Sequence, residues 1–431
     1  MKRLYKLVGA LISTAALAAC GGASNGLASS TPLAIPDTNL PQSLGAQPAF
    51  GRYQQAKLAS KERVLHSFTF GSDGRYPVSG LTNVGGTLYG TTYAGGPNVY
   101  GGTVFKITKS GTETVLYNFK QGADGCCPLA SVINVGGTLY GTTPGGGCSN
   151  GKDCGTVFKI TTSGTETVLY AFAGGADGAY PYAGLTNVNG TLYGTTAAGG
   201  GTSNGGTVFK ITTSGTETVL HRFTNYVMGQ HPQAGLTEMG GALYGTTFGG
   251  GLASVYGNGT VFKITTAGVF TVLYNFQGGN DGSGPLGRLA NVGGTLYGTT
   301  SESQYSSRPP PFGTVFKITK SGTETVLYGF KGGKDGAEPL AGLIESGGAL
   351  YGTTGVGGGG GCFSGYGCGT IFKITTSGTE TVLYRFKGKP DAEGPRSPLI
   401  SVNGVLYGTT YYGGTDTYCK LGCGTVFKVT P

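Results

Sequence analysis

From about residue 61 onward, short apolar stretches alternate with turn-forming residues in a fixed order. In the first full unit, Leu81 to Val84 is a short apolar run, followed by Gly85-Gly86, a two-residue hairpin signal. Thr87 to Thr92 is a second run, rich in residues that favour strands. A Gly-rich stretch of variable length leads to Thr103 to Thr108, with its Val, Phe and Ile. Lys109-Ser110-Gly111 then turns the chain into Thr112 to Phe119. The pattern predicts four strands, termed a to d, and helix start and stop signals are missing throughout.

The unit recurs seven times. Leu-Tyr-Gly-Thr-Thr begins at Leu88, Leu139, Leu192, Leu243, Leu296, Leu350 and Leu406. Gly-Thr-Val/Ile-Phe-Lys begins at Gly102, Gly155, Gly206, Gly259, Gly313, Gly369 and Gly424. Val-Leu-Tyr/His-x-Phe ends at Phe68, Phe119, Phe172, Phe223, Phe276, Phe330 and Phe386. Four antiparallel strands repeated in this way predict an all-β fold, a seven-bladed β-propeller. A β-solenoid is the alternative, but it prefers shorter units without internal hairpins. The region opens on a lone strand d, Lys61 to Phe68, and closes on a lone strand c, Gly424 to Thr430. The N-terminal strand is therefore expected to complete blade 7 and leave no open edge. Glu113, Glu166, Glu217, Glu324 and Glu380 each lie seven residues after the Lys of strand c. With a four-residue c–d loop they would form cross-strand ion pairs, and by the same register Glu62 is expected beside Lys428.

The ordered runs Leu-Tyr-Gly-Thr-Thr, Gly-Thr-Val-Phe-Lys-Ile-Thr and Val-Leu-Tyr-x-Phe resemble the GloVer tandem repeat of anchored, secreted bacterial proteins, over about 62–431. The resemblance implies a fold and a location, and no activity. Propellers built on Trp-Asp, quinoprotein or kelch repeats rely on Trp, which this chain lacks.

Composition narrows the classes further. Gly is 87 of 431 residues, without a Gly-X-Y period, which excludes collagen. Charged residues at 11% and aromatics at 11% exclude a charged disordered chain. Residues 1–19 place Lys2, Arg3 and Lys6 before an apolar run, Leu7 to Ala19, which is too short to span a bilayer. Leu17-Ala18-Ala19-Cys20 resembles a lipobox, so Cys20 is the expected lipidation site. Gly21 after it favours the outer over the inner membrane. Residues 20–60 read as the lipidated Cys and a flexible tether, and 61–431 as the propeller. Loss of the leader lowers the net charge from +9 to +6, a weak argument for nucleic acid, and none is expected as a partner.

In a propeller of this phase, a–b and c–d turns share one face, and b–c and d–a loops share the other. The second face varies in length and content and is the expected interaction surface. Its d–a loop carries Phe-x4-Asp-Gly-x2-Pro, with Asp73, Asp124, Asp177, Asp281, Asp335 and Asp391, and Met228 in the remaining copy. These carboxylates are expected to close turns, since one per blade does not converge on a cation. Asn83, Asn134, Asn187, Glu238, Asn291, Glu345 and Ser401 fall on strand a, where a polar ring along the channel is expected. No His pair has metal spacing, and neither metal nor cofactor is expected.

Departures from the repeat mark candidate binding residues: Tyr226, Met228, His231, Tyr305, Arg308, Tyr411, Tyr412 and Tyr418. Cys148/Cys154, Cys362/Cys368 and Cys419/Cys423 are expected loop-closing disulfides, with a four-cysteine zinc site across blades 6 and 7 as the alternative. Cys126-Cys127 is a candidate vicinal bridge, or would pair with Cys148 and Cys154. The function expected is an exported, lipid-anchored and monomeric binding or scaffolding module for an envelope or extracellular protein or a glycan. A polysaccharide lyase or hydrolase, and a spacer without ligand, are the alternatives.

Overall fold

The computed structural model describes residues 61–148, 153–251, 257–301 and 312–431. Cys20, Tyr305 and Arg308 lie outside them.

Each repeat forms an antiparallel sheet in the order a-b-c-d, and seven such four-stranded sheets make a ring. In blade 1 the strands are Thr82–Val84, Thr87–Thr92, Thr103–Ile107 and Glu113–Asn118. Among the described residues there is no α-helix, only three single 3-10 turns. Blade 7 takes Ile400–Val402, Val405–Thr410 and Thr425–Thr430 from one end of the chain and Lys61–Ser67 from the other. The expected closure by the N-terminal strand is what the structure shows.

The recurring runs are the contacts between blades. Leu88 is fully buried, and a Cβ on Gly90 would lie 2.5 Å from Phe105 Cζ, so only Gly lets that ring seat. Thr91 Oγ1 donates to the carbonyl of Ala130 in the next blade. Thr92 Oγ1 meets Thr103 Oγ1 at 2.9 Å inside its own blade. Both bonds recur in all seven units, and Thr409 Oγ1 to Ser79 O at 2.8 Å closes the circle. The Phe ending strand d meets the strand c Phe of the next blade edge-on, from Phe119–Phe158 at 5.2 Å round to Phe68–Phe105 at 5.1 Å. The core is thus distributed between the blades, in clusters such as Phe223, Leu236, Leu243, Phe262 and Ile264.

The register corrects the expected ion pairs. Lys106 lies opposite Thr114, and Glu113 opposite Ile107. The c–d loop holds five residues, Thr108 to Thr112, and Thr112 N donates to Thr108 Oγ1 within it. That one-residue difference sends Lys and Glu to opposite faces of the blade. Glu62 likewise faces Val429, and Arg63, not Glu62, faces Lys428. His66 and Asp73 form an ion pair at 3.3 Å.

Candidate ligand site at the channel mouth

The d–a loop brings the chain from the rim to the axis. Its Asp accepts the N–H of the residue four before it, as in Lys120 N to Asp124 Oδ2 at 2.9 Å and Lys331 N to Asp335 Oδ2 at 2.7 Å. Thr69, Ala173, Gln277 and Lys387 donate in the same way to Asp73, Asp177, Asp281 and Asp391. Each Asp except Asp73 also accepts from the strand d Tyr hydroxyl seven residues earlier, as in Tyr328 to Asp335 at 2.7 Å, and His66 takes that place beside Asp73. The Pro three residues after the Asp-Gly Gly packs on the previous blade. A Cβ on Gly424 would lie 2.4 Å from Pro77 Cδ, and one on Gly155 equally close to Pro181 Cδ.

The residue before that Pro has positive φ in every blade, including Tyr76, Cys127, Tyr180, His231 and Glu338. Backbone in this region costs a non-Gly residue of order 1 kcal/mol, and it re-aims the chain toward the axis.

Beyond the Pro, the chain enters a cavity of about 460 Å³ at the centre of the b–c/d–a face. All seven d–a segments line it, and b–c loops add Tyr93, Ala94, Tyr100 and Tyr411. Val78, Leu129, Tyr182, Gln233, Leu286, Leu340 and Arg396, each directly after the repeat Pro, form its wall. Arg75, Arg288 and Arg396 bring three guanidinium groups, and the described lining holds no Asp, Glu or His.

Each arginine is held differently. The Arg75 guanidinium lies 4.3 Å from the Phe70 ring centre and donates to Val99 O, while its buried Nε has no hydrogen-bond partner. Arg396 stacks 4.8 Å from Tyr411, which lies parallel to Tyr76 at 4.8 Å. Arg288 occupies a position that is Gly80, Gly184, Gly235 or Gly342 in other blades. Its Nε lies 3.3 Å from Thr237 Oγ1. The group is surrounded by protein yet faces the open channel, where water reaches it. Desolvation lowers its pKa from the ordinary guanidinium value, and it stays charged. Glu393, three residues before Arg396 on the same loop, is only 2% exposed and pairs by backbone with Tyr412, and burial pushes its carboxyl up to about 7.

Of the candidate binding residues in the described part, only Tyr411 lines this cavity. Tyr226 and Met228 sit in a 3-10 turn. His231 Nδ1 bonds Ala197 O at 2.8 Å, and Tyr412 packs against Tyr76 and Phe363. Tyr418, 84% exposed, stacks on Phe70. The polar side chains of strand a close the a–b turns. Asn83 and Asn134 accept the N–H of Gly86 and Gly137, and Glu238 and Glu345 accept those of Gly241 and Gly348. The cavity wall went unread because the residue directly after the Pro, Val78, Leu129, Tyr182, Gln233, Leu286, Leu340 or Arg396, follows no motif. That variability inside an otherwise fixed loop was the available signal.

Three disulfides form as expected: Cys148–Cys154, Cys362–Cys368 and Cys419–Cys423. The zinc alternative fails because each pair is bonded within its own loop. Asp416 lies by Cys419 and Cys423, whose sulfurs are already committed to each other. Cys126 and Cys127 are corrected: their sulfurs lie 3.0 Å apart, a contact rather than a bond, and Cys127 Sγ approaches Tyr100 O at 3.2 Å.

These features define a closed seven-bladed propeller whose loop face carries one axial, arginine- and tyrosine-lined cavity. The chain belongs to the Gloeobacter/Verrucomicrobia repeat family, whose sequence pattern matches residues 51–256 and 252–431. Among curated proteins none matches it. Among solved structures it is similar to streptogramin B lyase, at 16% identity and a TM-score of 0.57, covering 86% of this chain and 97% of that one. A gluconolactonase from Xanthomonas campestris matches at 12% identity and a TM-score of 0.38, over 64% and 78% of the two chains. At such identities the likeness concerns the fold alone.

Proposed function

We propose that this protein is an exported, lipid-anchored binding module of the cell envelope that holds its ligand over the channel mouth. The observation that carries the reading is the axial cavity, whose wall varies from blade to blade while the surrounding frame does not. Its volume of about 460 Å³ lies within the usual range of small-ligand pockets and suits sugar units or a protruding side chain better than a flat protein surface. The lipobox-like leader ending at Cys20 supports the anchor, since thioether and amide acyl chains together give stable attachment. Binding is favoured over catalysis because the described lining brings cations, phenols and apolar groups, and no carboxylate or imidazole, to one place.

The test pairs two variants of the full chain. Cys20→Ser is expected to move the protein from the membrane to the soluble fraction. On a glycan array, wild-type protein in detergent is expected to show signals that Leu340→Trp, which fills the cavity, abolishes without lowering the melting temperature. Signals that survive Leu340→Trp would place binding elsewhere and sink the cavity reading. Cys20→Ser protein that still sediments with membranes would sink the anchor.

A further inference from the structure

We infer that the ligand of the channel mouth is an acidic oligosaccharide, held by its carboxylates on Arg288, Arg75 and Arg396 and by its sugar faces on neighbouring tyrosines. The inference rests on the cavity reading above and names its chemistry. Three observations carry it.

The first is uncompensated positive charge. Three guanidinium groups line one cavity, and the described lining contains no acid to oppose them. Arg288 is the sharpest case. Six blades place Gly, Ser or Pro at its position, and the fifth places a long cation there. Its side chain is exposed to the channel, and no carboxylate of the described lining stands beside it. The wall supplies only a hydroxyl, Thr237 Oγ1, so most of the donors of the Arg288 fork are left for something in the channel. Arg75 repeats the theme, with a buried Nε that no protein group satisfies. The planar fork of arginine matches a carboxylate with two parallel hydrogen bonds.

The second is the aromatic surround. The parallel Tyr76–Tyr411 pair and Tyr182 and Tyr100 stand at the cavity. Outside it, on the same sector, Phe70 (43% exposed) and Tyr418 lie stacked 5.7 Å apart. A sugar ring has a polar rim and an apolar C–H face, and rigid phenol rings match both. A simple carboxylate would need the arginines but not this platform.

The third is shape. The cavity opens on the loop face, and the exposed Phe70–Tyr418 stack continues from Arg75 at its edge. One acidic unit would sit over the axis, and following units would cross the platform between blades 7 and 1.

The experiment is calorimetric titration of the full chain in detergent with short oligogalacturonates and with the same oligomers methyl-esterified. The acid form is expected to bind, and the ester at least about tenfold more weakly. Arg288→Gln is expected to weaken the acid form by a similar factor and leave the ester unchanged. Its melting temperature should not fall, because no counter-ion is lost. Tyr411→Ala should weaken both forms. Esters that bind as well as acids, with no effect of Arg288→Gln, would overturn the acidic assignment and leave the cavity reading intact. Binding by neither form would overturn the assignment too. The array with Leu340→Trp then decides separately whether the cavity takes any glycan.

Discussion

One inter-blade contact shows how single side chains in this molecule are coupled. In most junctions the strand d Tyr bonds the loop Asp of its own blade, and a Glu from the next blade approaches both, as with Tyr117, Asp124 and Glu166. At the junction of blades 3 and 4 all three members change together, to His221, Met228 and Phe270. His221 stacks on Phe270 at 3.8 Å and 3°, its Nε2 has no hydrogen-bond partner, and burial lowers its pKa to about 4. A polar trio has been exchanged for an apolar one, and half-exchanges should fail. Phe270→Glu alone is expected to cost about 3 kcal/mol or more, since it removes a packed ring and sets a carboxyl against a ring and a thioether. Adding His221→Tyr and Met228→Asp should recover most of that loss in urea melts. A triple variant no better than the single one would refute the coupling.

At the level of strands and turns, the five-residue c–d loop sets which face each Glu takes. It points Glu113, Glu166, Glu217, Glu324 and Glu380 at the Asp of the preceding blade, and burial, chiefly, with that Asp pushes each to about 7. Glu62 is raised in the same way by burial and Asp391, which extends the pattern through the ring closure. A raised acid binds its proton more tightly in the folded state. Its stabilising effect is complete below the ordinary value of 4.5 and is lost as pH climbs toward about 7. The melting temperature is therefore expected to fall from pH 5 to pH 8. His221, with its lowered pKa, works in the opposite sense below its ordinary value of 6.5. Glu166→Gln isolates one junction, where Asp124, Tyr117 and Lys120 are the facing groups. It should raise the melting temperature at pH 8 by about 1–2 °C and flatten the pH slope. An unchanged slope would show that Glu166 titrates normally.

For the ring as a whole, closure is the feature with the largest consequence. Lys61–Ser67 pairs with Thr425–Thr430, Phe68 meets Phe105, and Thr409 reaches Ser79. Without the first strand, blade 7 would expose an unpaired edge beside buried Val426 and Phe427. A chain beginning at residue 70 is expected to lose cooperative melting or to aggregate. Phe68→Ala in the full chain should cost about 3–5 kcal/mol while keeping a single transition. A truncated chain that melts as sharply as the whole would show that closure is dispensable.

Much of this was legible in the chain itself. Strand order, blade number, ring phase and three disulfides follow from local signals, because turns, alternation and loop cysteines act over a few neighbouring residues and each appears many times. The Lys–Glu pairing was misread because a loop longer by one residue reverses a face, and spacing alone does not reveal which loop length the hydroxyl bonds select. The cavity was decided only in three dimensions. Its wall draws two to four residues from each of seven distant segments, and Arg288 matters because the ring brings Arg75 and Arg396 to the same axis, more than 100 positions away on either side in sequence. Repetition writes the frame into every unit, whereas convergence at the axis exists only once the frame has closed.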